Sequence, residues 1–167
     1  MGKDTTDKIK EAKNNLLADL EYYLDEITGL TQSPIEELFL LSFLSVCSYY
    51  WFDSTCYDAG RNIIMVKAVL YGRNIFIVPQ HKICKYRVDF LFVLNNEKQF
   101  IVECDGHDFH EKTKKQVTKD KSREREFVKI GLTVVRFSGS EIYNSPFKCV
   151  RDLEDMFINY WSAKDGK

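Results

Sequence analysis

The sequence has no C-x-x-C pair, no apolar run long enough to span a bilayer, no internal repeat and no low-complexity tract. Five cysteines, Cys47, Cys56, Cys84, Cys104 and Cys149, are scattered and odd in number. That excludes a zinc knuckle and a disulfide framework, and it points to reduced thiols in a cytoplasmic compartment. The missing apolar span excludes a transmembrane helix, and the polar N-terminus shows no secretory signal. Acidic residues are absent from 61–87, where Arg61, Lys67, Arg73, Lys82, Lys85 and Arg87 stand alone. The net charge of −1 hides this imbalance. Residues 1–30 are acidic, with four lysines against seven carboxylates, whereas 111–129 carry eight basic and four acidic residues. Two basic regions flanking an acidic centre suit a polyanion held near a metal.

What is present supports a single core. With 167 residues, 44% of them hydrophobic, the chain is long enough for one domain with an appendage. Residues 4–27 carry Ile9, Leu16, Leu17, Leu20, Tyr23, Leu24 and Ile27 at helical spacing, and Gly29 marks the end. This N-terminal unit, 1–30, is an amphipathic helix suited to packing or homodimerisation. The main domain is 31–162, and 163–167 form a frayed tail. Ser33, Pro34 and Glu36 open a second helix through a capping box. Leu38, Leu41, Phe43, Leu44 and Val46 give it an apolar surface. Residues from Trp51 to Gly60 read as a loop. Two strands follow at 62–70 and 74–78. A charged helix runs over 111–130, ended by Gly131, then a strand over 132–137. A last helix starts at Ser145 and Pro146 and turns Val150, Leu153, Phe157, Ile158 and Trp161 inward. The fold class is α/β, a central mixed sheet flanked by helices on both faces, with the N-terminal helix as an extra.

The chain is organised around Tyr86–Gly106, two apolar strands joined at Asn95 and Asn96. Carboxylates interrupt the apolar runs at Asp89, Glu103 and Asp105. A hairpin symmetric about Asn96 sets Asp89 opposite Glu103. Glu103 and Asp105, two apart, share a face. Unpaired carboxylates are costly to bury, so such a cluster holds a cation. All-oxygen ligands suit Mg²⁺ or Mn²⁺. On the charged helix, Gln116, Asp120, Arg123 and Phe127 share a face, with Lys119 and Lys121 to either side. Gln80, Lys82 and Lys85, in the acid-free segment, are candidates for phosphate contacts; a lysine-protected strand edge explains them equally.

These residues together resemble the PD-(D/E)xK nuclease superfamily. The set is Arg87-Val-Asp-Phe90, Val102-Glu-Cys-Asp-Gly106 with His110, Asp120 and Arg123, Gly131, and Val135-Arg-Phe137, with Ser33-Pro-Ile-Glu36 opening the core. Within it the chain is most similar to small endonucleases related to the very-short-patch mismatch-repair enzyme. The resemblance covers roughly 33–160. It implies a restriction-endonuclease-like core that cuts phosphodiester bonds by in-line attack of metal-activated water, with DNA favoured over RNA. It implies Asp89, Glu103 and Asp105 as metal ligands, with the Cys104 carbonyl completing the shell and its thiol turned into packing. Glu36 approaches the site in such enzymes, although a capping box explains it without a metal. His110, and less so His107, acts near the scissile phosphate as acid or base. Arg123 stabilises developing charge or holds the acids in place, Asp120 supports it, and Gln116 touches phosphate or a metal-bound water; Lys119 and Lys121 are candidates for backbone phosphate contacts, which a solvated role explains equally. The superfamily's usual lysine is here Asp105, which leaves open the group that activates the water. Two alternatives remain: a binding or scaffold module on the same fold, and an RNA-directed nuclease.

Overall fold

The computed structural model describes residues 25, 27–53, 57–58, 61–62, 65–106 and 114–166. The N-terminal helix expected over 4–27 falls mostly outside them, as do His107 and His110. Residues 27–30 are helical, so helix continues through Gly29, and Ile27 and Leu30 are buried.

The first named helix, α1 (Pro34–Val46), begins where Ser33 Oγ accepts the Glu36 N–H at 3.3 Å and proline takes the first turn. It buries Phe39, Leu40, Phe43 and Leu44, while Leu38 and Leu41 are half-buried and Val46 reaches the surface. Ten strands follow among the described residues. They are β1 (Tyr49–Asp53), β2 (Tyr57–Asp58), β3 (Arg61–Asn62), β4 (Met65–Leu70), β5 (Arg73–Pro79), β6 (Lys82–Ile83), β7 (Tyr86–Arg87), β8 (Phe90–Leu94), β9 (Lys98–Asp105) and β10 (Thr133–Ser138). Helix α2 (Lys114–Lys129) joins β9 to β10, and α3 (Gly139–Asn144) and α4 (Pro146–Asp165) close the chain. No helix of the described residues is long and apolar enough to cross a membrane.

Six strands form one mixed sheet in the order β1-β4-β5-β8-β9-β10. All neighbours are antiparallel except β10, which returns parallel to β9 through α2. The stretch expected as a loop from Trp51 to Gly60 is instead partly paired: β1 pairs along β4, and β2 pairs with β3. An aromatic run, Tyr49 to Phe52, suits a pleated surface better than a loop. The β6–β7 ladder was also not visible in the sequence pattern.

The hairpin register is the expected one. Phe90 pairs with Val102 and Leu94 with Lys98, so the axis passes through Asn96. Asn95 and Asn96 both have positive φ, at 50° and 60°, and Glu97 N–H closes the turn on the Leu94 carbonyl at 2.9 Å. Asparagine tolerates this left-handed region, which a β-branched residue would not.

Strand alternation splits the side chains between two cores. Phe90, Phe92 and Leu94 of β8, Phe100, Val102 and Cys104 of β9, and Val135 and Phe137 of β10 face α1, α3 and α4. Phe157 anchors that side, with ring centroids 5.1 Å from Phe100 and 5.9 Å from Phe92. Ile158, expected to face inward, is 39% exposed, because one helical step turns it about 100° away from Phe157. Leu91, Ile101, Val134 and Phe127 of α2 pack on the opposite face. Helix α4 runs beyond Ser162, where the tail was expected to begin. Asp165 pairs with Arg73 and Lys164 with Glu97.

Candidate active site

The same alternation sends every second residue of β8, β9 and β10 toward α2, and at one end of the sheet those residues become polar. Glu103 and Asp105 follow Ile101 along that face of β9, and Arg136 follows Val134 on β10. Asp89 lies one residue before β8, in register opposite Glu103. The chain therefore gathers three carboxylates and an arginine where β9 and β10 end, and α2 adds Arg123.

Each acid already has a partner within the chain. Glu103, only 5% exposed, accepts from Arg123 Nη2 at 2.6 Å. The same nitrogen lies 2.7 Å from the Arg87 carbonyl, and the guanidinium sits 5.4 Å from the Phe127 ring centroid. Arg136 Nη1 is 3.5 Å from Asp105 Oδ2. Asp89 Oδ2 accepts the Cys104 N–H at 2.8 Å, replacing the strand neighbour that β8 no longer supplies there. Among the described residues, no group of three His, Cys, Asp or Glu side chains stands ready to hold a metal ion.

Charge crowding persists despite these pairs. Burial, reinforced by neighbouring Asp89 and Asp105, raises the Glu103 carboxyl to about 7 against the pull of Arg123. Burial also raises Asp89, with Glu36 adding to the effect and the Cys104 N–H opposing it. The Cys104 thiol packs in the main core as expected, and burial keeps it protonated, which excludes a thiolate nucleophile. All-oxygen, crowded carboxylates fit a hard divalent cation in chemistry. To bind one, Glu103 and Asp105 must turn from their arginines. Two buried arginine donors, Nε of Arg123 and of Arg136, have no hydrogen-bond partner among the described residues. Orphaned guanidinium N–H groups beside a carboxylate cluster suit an incoming anionic oxygen.

Glu36 reaches this end of the sheet from α1. It does not form the reciprocal capping box: its Oε2 accepts from the Gln32 N–H at 2.9 Å and from Gln80 Nε2 at 2.6 Å. Gln80, with φ of 52°, donates its own N–H to the Asp89 carbonyl at 2.7 Å. Gln80 therefore ties Glu36 to Asp89 and spends one of its amide donors inside the chain. Lys82, Lys85, Lys119 and Lys121 are exposed, and Lys85 pairs with Glu126 at 3.1 Å. Asp120 lies on α2 beside Arg123, and Gln116 is placed in α2 without a described side chain.

Sequence reasoning placed Arg87 and Arg136 within motif runs without giving them a role, and it did not tie Gly139 to the site. A lone cation in the apolar run 132–137 was the available signal for Arg136. Gly139 starts α3 against the end of β9; a Cβ there would lie 3.2 Å from the Asp105 carbonyl. Ser138 caps that helix through a full capping box with Glu141 and pairs in register with Asp105. Ser138→Ala should cost about 1 kcal/mol of stability, read in a thermal or denaturant melt.

The REase_MTES_1575 family model matches residues 64–157, from the start of β4 to the middle of α4, which takes in Asp89, Glu103, Asp105, Arg123 and Arg136 and leaves out Glu36. No curated protein and no solved structure matches the chain. With more than half its length matched, and with a mixed sheet between two helical layers, the chain belongs to the REase_MTES_1575 family of restriction-endonuclease-like proteins.

Proposed function

We propose that the protein is a metal-dependent endonuclease that hydrolyses phosphodiester bonds, in DNA before RNA. One observation carries this reading: Asp89 and Glu103, in register on adjacent chain segments, are crowded carboxylates, Glu103 buried and Asp89 half-buried, directly beside two guanidinium groups with unspent donors. Acids alone would be a poor structural choice at such a place, and arginines alone would suffice for simple anion binding.

Asp89 and Glu103 would hold Mg²⁺ or Mn²⁺, with Asp105 as a third ligand or a water-positioning group. When bound, the ion polarises the phosphate and lowers the pKa of a water molecule. Arg123 holds Glu103 in place in the free protein; over a phosphate its donors match the charge that develops during displacement. Arg136 does the same beside Asp105. Glu36, through Gln80, fixes the backbone at Asp89. His110, by its resemblance to the mismatch-repair endonucleases, supplies a proton to the leaving oxygen.

Purified protein incubated with supercoiled plasmid and Mg²⁺ or Mn²⁺ should give nicked and linear products. Chelator should stop the reaction, and matched RNA should remain intact. No cleavage of either polymer with either ion would overturn the reading. One observation favours a second reading, a nucleic-acid-binding module without hydrolysis: every one of the three acids is already satisfied within the chain. On that reading Mg²⁺ would not stabilise the protein through Asp89 and Glu103.

A further inference from the structure

Next to the acids, between the β6–β7 ladder and α2, lies a cavity of about 360 Å³. Lys85, Tyr86, Arg87, Lys119, Asp120 and Arg123 line it. It falls at the small end of the roughly 300–1,000 Å³ range of ligand sites. Arg123 forms the wall shared with Glu103. Four cations and one carboxylate make the lining strongly positive.

Not all of that charge is spent. Lys85 is paired with Glu126, and Arg123 with Glu103. Arg87 donates its guanidinium to the neutral side-chain oxygen of Gln32, so its charge is kept. Lys119 is exposed on α2. Among the described residues neither Arg87 nor Lys119 makes an ion pair. The aromatic in the lining is engaged: the Lys85 ammonium lies 5.1 Å and the Arg123 guanidinium 5.7 Å from the Tyr86 ring centroid. A base has no clear ring to stack on among the described lining residues, whereas the Lys and Arg donors there suit phosphate oxygens.

We infer that this cavity is a backbone subsite, binding through Arg87 and Lys119 a phosphodiester group adjoining the one to be cut. The position relative to the cut rests on the hydrolytic reading above; the binding does not. Such contacts position the polymer without selecting sequence.

The test uses full-length protein in chelator, so that hydrolysis does not enter. Binding of a labelled duplex DNA and a labelled duplex RNA is followed by anisotropy over a salt series, for two unrelated sequences of each. Arg87→Ala and Lys119→Ala should each lower the slope of log affinity against log salt by about one. The loss should be the same for both sequences, and Arg87→Lys should restore the slope. Lys164→Ala, whose ammonium pairs with Glu97, should leave the slope unchanged. A reduced slope on one polymer assigns the subsite to that polymer, and on both assigns it to either. An unchanged slope in the alanine variants, with their melting temperatures unaltered, overturns the proposal, as does a loss confined to one sequence. A wild type that cuts nothing, with slopes reduced as expected, removes the hydrolytic reading and leaves the subsite standing.

Discussion

Asp89→Asn protein is expected to be at least as stable as the wild type and to lose Mg²⁺-dependent cleavage. The activity loss should exceed the roughly 10–100-fold that removing an outer-shell partner costs a metal enzyme. Stability should hold because the asparagine oxygen can still accept the Cys104 N–H, and because a neutral side chain relieves the burial penalty and the repulsion from Glu36 and Asp105 that now raise Asp89. Asp89→Ala separates the two roles. It also abolishes cleavage, but it orphans the Cys104 N–H at a cost of about 1–3 kcal/mol. Cleavage rates with paired urea melts measure both effects. An Asp89→Asn protein that cuts at the wild-type rate would remove Asp89 from the chemistry.

The site was legible in the sequence where a side chain violated its surroundings. Asp89, Glu103 and Asp105 interrupt apolar runs; hairpin symmetry set Asp89 opposite Glu103, and two-residue alternation put Glu103 and Asp105 on one face before any coordinates. The turn at Asn95 and Asn96 fixed the register, because a three-residue loop centred on Asn96 leaves little freedom to slip. Arg123 followed from helical spacing with Phe127. What stayed hidden was mostly the outcome of competition between partners. Nothing in Ser33-Pro-Ile-Glu36 says that Glu36 turns to the Gln32 N–H and Gln80 rather than back to the Ser33 N–H. That choice depends on Gln80 adopting a positive φ some 44 residues later. Arg136, read only within Val135-Arg-Phe137, was given no role because a single arginine in an edge strand is usually solvated; here parallel pairing with β9 puts it opposite Glu103. The start of the stretch expected as a loop, Trp51 to Asp53, pairs instead because its partner β4 is non-local, and local pattern alone cannot separate a loop from an edge strand.

Glu103 should make the chelated protein less stable as pH rises. Its carboxyl titrates near 4.5 when solvated and at about 7 in the fold. Between those values the folded chain binds the proton and the unfolded chain has released it, so the free energy of unfolding falls with each step in pH. Below 4.5 both states are protonated, and above about 7 both are ionised, so the loss is confined to that window. A shift of this size corresponds to about 3 kcal/mol at a site this well buried. Asp89 is raised for the same first reason, burial, and contributes in the same direction. Glu103→Gln isolates the larger part. It mimics the protonated state, so it should match the wild type below 4.5 and exceed it by about 3 kcal/mol at mildly alkaline pH. Its amide oxygen can still accept from Arg123, which keeps the comparison free of an unpartnered guanidinium. Urea melts across the window measure the difference, and a difference that does not change with pH would show that Arg123 fully offsets the burial. Mg²⁺ sharpens the test. At alkaline pH it should raise the wild-type melting temperature, since an ion bound only to the folded chain stabilises it. The same addition should leave Glu103→Gln nearly unmoved. A wild type indifferent to Mg²⁺ in that range would mean that the arginines alone neutralise these acids, and would favour the binding module over the hydrolase.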